Sequence, residues 1–65
     1  MSARSTGIVT DFYRDDGLGV IEADGLRYPF HCIEIADGSR DIAVGTAVSF
    51  DLLCKLGRYE AAAIT

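Results

Sequence analysis

Apolar and polar residues alternate with a period of two along most of this chain, in short runs rich in Val, Ile, Phe and Tyr. Turn-forming clusters separate the runs: RDDG at Arg14–Gly17, ADG at Ala23–Gly25, ADGSRD at Ala36–Asp41 and CKLG at Cys54–Gly57. Five strands are predicted, over residues 6–13, 18–23, 26–33, 46–54 and 58–64. In TAVSFDLL, Val48, Phe50 and Leu52 fall on one face and Ala47, Ser49 and Asp51 on the other, the pattern of a half-buried strand. In YEAAAIT, Ala61 and Ala63 alternate with Ala62 and Ile64, residues small enough for another backbone to approach closely. Pro29 has no N–H to give to a ladder, so the third strand is expected to be an edge, or to be bulged or interrupted there.

A chain of 65 residues supports one core, so residues 1–65 are read as a single domain. A five-stranded antiparallel sheet with almost no helix to cover it buries a core only by curling on itself. The expected class is therefore all-β, a small barrel. A core of this size supplies roughly 3 to 5 kcal/mol, so stability is expected to be marginal. With 49% of residues apolar and 25% charged, the composition is that of a folded chain rather than a disordered one.

Charge narrows the range of partners. Ten acidic side chains against six basic ones give a net charge of -4, and the summed field repels phosphate at long range. No apolar run approaches the ~20 residues of a membrane span, and Met1 to Thr6 lacks a charged-then-apolar signal pattern. A cytoplasmic location, with no membrane partner, is the expectation. Cys32 and Cys54 lie far apart, without a CxxC pair or a ligand-spaced histidine, and are expected to be two small buried or half-buried thiols. The stretch Asp11, Asp15 and Asp16 lacks calcium-loop spacing and reads as a solvated turn. No metal or other cofactor is expected.

The run DGLGVI, Asp16 to Ile21, carries apolar side chains on both faces of a predicted strand. Its neighbours supply a context. GIV opens the first strand, YPFHCIEI follows DGLGVI, VGTAVSFD opens the fourth strand and GRYEAAAI forms the last. Together these runs resemble a cold-shock domain, a five-stranded OB-fold barrel, over Gly7 to Ile64. DGLGVI stands at that family's first ribonucleoprotein motif, KGFGFI, and YPFHCIEI at its second, VFVHFSAI. VGTAVSFD matches the family's EGQxVSFE, and GRYEAAAI sits where the last strand reads RGPQAxNV.

The resemblance implies a binding platform on the outer face of the second and third strands, where aromatic rings stack on bases of single-stranded RNA or DNA and lysines meet phosphates. Leu18 and Val20 occupy the positions of two stacking phenylalanines. Asp11 replaces a first-strand tryptophan, Asp16 a lysine, and Pro29 and Cys32 two further phenylalanines. Ile8 and Thr10 stand where many members carry lysines. Phe12 and His31 are kept. Losing about four stacking positions removes roughly 4 to 12 kcal/mol of the family's possible affinity.

A displaced set of rings, Tyr13, Tyr28, Phe30, His31 and Tyr59, lies in the same region, with Arg14, Arg27, Lys55 and Arg58 to supply charge. The alternative for these residues is structural: Phe30 in the core, Tyr28 and Tyr59 as half-buried covers, and solvated arginines. No serine or cysteine nucleophile is arranged with His31, and an enzyme is not expected. The nucleic-acid-binding set that results is Phe12, Leu18, Val20, Phe30, His31, Arg58 and Tyr59. Two readings stay open. One is a cold-shock-like module with weakened or altered binding of single-stranded nucleic acid. The other is a protein-interaction or homodimerisation module, using Leu18 and Val20 with Ile8 or Tyr28 inside an acidic rim.

Overall fold

A computed structural model describes residues 4–65, with Lys55 described by its backbone alone. Five strands follow one another: β1 (Ser5–Tyr13), β2 (Leu18–Ala23), β3 (Leu26–His31), β4 (Ala47–Lys55) and β5 (Arg58–Ala62). They form one antiparallel sheet in the order β3-β2-β1-β4-β5, coiled into a nearly closed barrel. β1 is the hub, since its second half pairs with β2 and its first half with β4. All five predicted strands are present, and the sheet is the expected all-β barrel.

The barrel closes unevenly. β3 and β5 are the two edges that face each other, and a single parallel bridge joins the chain just beyond them, at Ile35 and Ile64. There Ala36 N–H donates to the Ile64 carbonyl and Ile64 N–H to the Glu34 carbonyl, each at 2.8 Å. At the other end of the seam, side chains rather than a ladder line the gap. Pro29 lies on β3 at this edge, where its missing N–H breaks no pairing with β2, as the sequence led us to expect.

Val9, Ile21, Phe30, Phe50 and Ile64 are the largest fully buried side chains, packed with Ala23, Ile35, Val48 and Ala61. The alternation in β4 holds for Val48 and Phe50, both buried. Leu52 keeps their parity but is exposed, because the β4–β5 hairpin runs on past the end of the core. The Ala61–Ile64 alternation fails: Ala61, Ala62 and Ile64 are all buried. Ala63, at φ 49°, turns the chain between them in the left-handed region. β3 stops at His31, two residues short of the expected end, because a 3-10 turn over Cys32–Glu34 begins there, with His31 Nδ1 accepting from Ile33 N–H. Both cysteines are free thiols; Cys32 is half-buried as expected, whereas Cys54 is exposed on the protruding hairpin.

Candidate nucleic-acid interface

The turn between β1 and β2 starts the site. Gly17 N–H donates to the Tyr13 carbonyl at 2.9 Å, and Gly17 takes φ 68°, which turns the chain back so that Leu18 pairs with Tyr13. Between Val9 and Asp11 a β-bulge inserts Thr10 as an extra residue and resets the alternation of β1. Past the bulge Asp11 faces Val20, Phe12 faces Gly19 and Tyr13 faces Leu18. The β2–β3 register continues the rows. On the outer face Tyr13, Leu18 and His31 lie side by side. Next to them come Asp11, Val20 and Pro29, and then Ile8, Glu22 and Arg27. Tyr13 is 54% exposed and Leu18 is 47% exposed, so this end row is open to a ligand.

The inner face of the same strands receives the two phenylalanines placed in the binding set. Phe30 is 1% exposed and belongs to the core, so its ring is closed to any ligand. Phe12 packs against that core and stacks on Phe30, with centroids 6.2 Å apart and planes 11° from parallel. The bulge is the physical reason for Phe12: it sends Asp11 to the outside and the next side chain inward. Phe30 lies across Gly19, where an added Cβ would sit 2.3 Å from the ring's Cζ. The two glycines of DGLGVI thus have separate tasks, one turning the chain and one making room for a ring. Leu18 and Val20, by contrast, stand outside as expected, with Val20 half-buried between its neighbours. Tyr28 is half-buried beneath the seam, its ring tilted against Phe50 at 5.8 Å.

Arg58 and Tyr59 lie apart from the end row, across the barrel seam. With Leu26, Arg27, Tyr28, Pro29 and Leu52 they line an open groove of about 520 Å³. Tyr59 is 57% exposed, and Arg58 has no ion pair among the described residues. The other arginines near the face are engaged. Arg27 meets Asp11 at 2.6 Å, and Arg14 meets both Asp41 oxygens, at 2.8 and 2.9 Å. Asp11 is itself held by Thr10, whose hydroxyl donates to it at 3.0 Å. Lys55's side chain lies outside the described residues. Sequence reasoning left Tyr13 outside the binding set and missed the Asp11–Arg27 pair, since both depend on a bulge that no residue type in TDFY announces.

Sequence comparison finds no matching family model and no matching curated protein. Structure comparison finds a solved chain described as "drosophila Unr CSD456", superposed at a TM-score of 0.81 over 97% of this chain with 26% identity. The chain folds as a cold-shock domain. It spans 26% of that solved chain, so the likeness concerns one domain of a longer protein.

Proposed function

We propose that this cold-shock domain binds single-stranded nucleic acid weakly, as a non-enzymatic module, through the outer face of β1, β2 and β3. The observation that carries the reading is the open end row, in which Leu18 stands between two ring-bearing residues, Tyr13 and His31. Two strand spacings separate these rings by about 10 Å, so each can take its own base while Leu18 fills the space between. Each stacked base contributes roughly 1 to 3 kcal/mol, which makes two platforms worth about 2 to 6 kcal/mol in place of the family's larger total. Phosphate contacts add little on this face, because its guanidinium already holds a carboxylate. Arg58 and Tyr59 can extend the path across the seam.

The test is a titration of labelled oligo-dT and oligo-U at low salt. Association at micromolar or weaker levels is expected, with a shallow salt slope of about -0.7 for each phosphate contacted. Absence of any binding near a millimolar protein concentration would overturn the proposal.

A second reading, a protein-interaction or homodimerisation module, draws on the exposed aliphatic side chains of this face, Ile8 and Leu18, beside an ion pair of no net charge. Sedimentation across a wide concentration range separates the two. A monomer at every concentration, with partner capture unchanged by Leu18→Asp, rejects this second reading.

A further inference from the structure

The outer face carries one cation among its described residues, Arg27 on the edge strand β3, and the fold places two carboxylates on its β2 side. Glu22 lies directly opposite Arg27 in the β2–β3 register. Asp11 reaches it from β1, diagonally across β2, and closes the 2.6 Å contact. The reach depends on the bulge, because a regular β1 would alternate without the reset that turns Asp11 outward beside Val20. Thr10, the bulged residue, then fixes the carboxylate through its own hydroxyl. The side chains of Arg27 and Asp11 are 61% and 31% exposed, so the pair lies at the surface where a phosphate would approach.

We propose that Asp11 is a specificity-determining residue of this face: by holding Arg27 it withholds the guanidinium from phosphate, so that ligands are selected by stacking on the end row. This deepens the nucleic-acid reading above and rests on it. An exposed pair of this kind is held weakly, so a phosphate can compete for Arg27. In doing so it must either displace the carboxylate or accept a like charge beside it. Both options lower affinity for a polyanion and leave the affinity for an uncharged base stack unchanged. Glu22 is the reserve partner, placed to take Arg27 when Asp11 is neutralised.

The experiment measures oligo-dT affinity at several salt concentrations for the unaltered domain, Asp11→Asn, Asp11→Asn/Glu22→Gln, and the latter combined with Arg27→Gln. Asn is nearly isosteric and still accepts from Thr10, and thermal unfolding of each variant verifies that the barrel is kept. Freeing Arg27 should add one phosphate contact, so the double variant should bind about fivefold more tightly at low salt, with a salt slope steeper by about 0.7. Adding Arg27→Gln should abolish the gain. If the unaltered domain binds while the double variant shows neither tighter binding nor a steeper slope, Asp11 has no such role and the nucleic-acid reading survives. A gain that persists without Arg27 also rejects the role, because it then reflects only the removal of negative charge. Failure of every variant to bind near a millimolar rejects both the role and the reading beneath it.

Discussion

The two faces of the same three strands are built to different standards. Inside, Phe12, Phe30 and Gly19 form an interlocked layer in which even a methyl group on the glycine has no room. Outside, the exposed Leu18 and the half-buried Val20 stand beside an ion pair, a proline and two rings, Tyr13 and His31. The inner face is fixed by volume, and almost any change there is felt through the whole core. The outer face carries no such packing constraint, so aromatics and lysines can be replaced there while the barrel persists. Fold and function therefore need not diverge together in this domain.

The largest effect that would break this contrast lies in the core. Phe30→Ala should cost about 3 to 5 kcal/mol, comparable to the whole stability of a core this size, so that chemical denaturation finds much of the variant unfolded. Gly19→Ala should cost about 1 to 3 kcal/mol by driving a methyl group against the Phe30 ring. On the outside, Leu18→Ala should leave the unfolding midpoint nearly where it was, within about 0.5 kcal/mol. Equal destabilisation by Leu18→Ala and Phe30→Ala would erase the distinction between the faces.

Smaller in stability but larger in binding, replacing both Tyr13 and His31 by Ala should remove about 2 to 6 kcal/mol of oligonucleotide affinity. The fold should be retained, as read by a circular-dichroism melt that stays cooperative and falls only slightly, because His31 also caps the Cys32–Glu34 turn. A double variant that binds as well as the unaltered domain would move the site elsewhere, with the Arg58 and Tyr59 groove the first place to look.

The smallest effect concerns a region away from both faces. Ser39 N–H donates to Asp37 at 2.8 Å, and this bond, reinforced by the Ser39 side chain, holds the Asp37 carboxyl below its ordinary value of 3.8. A carboxyl depressed by folding stabilises the folded state above its unfolded value, and that contribution fades as pH falls through the lower folded one. Asp37→Ala should therefore lower stability slightly at neutral pH, with the difference from the unaltered domain shrinking as pH falls below the ordinary value of 3.8. A difference that grows on acidification would contradict this assignment.

Much of the barrel was legible in the sequence because turns and alternation are local. RDDG, ADG and CKLG each break a run of alternating residues, and each lies at a hairpin in the structure. Pro29 gave away its edge position through a missing donor. What escaped notice depends on the third dimension or on a single inserted residue. Leu52 has the parity of the core, but its exposure depends on where the hairpin leaves the barrel. Phe12 is a ring in a strand beside a supposed platform, and only the bulge at Thr10 sends it inward. The same bulge brings Asp11 to Arg27, two residues whose separation in sequence gives no hint of contact.

On the reading proposed above, the outer face of β1 to β3 receives single-stranded nucleic acid at its end row. A residue-resolved chemical-shift titration with oligo-dT tests it most directly. Concentration-dependent shifts are expected at Tyr13, Leu18, Val20 and His31, with smaller ones at Arg58 and Tyr59. Shifts confined to residues away from this face, or a face that ignores the oligonucleotide and broadens only as protein concentration rises, would contradict it.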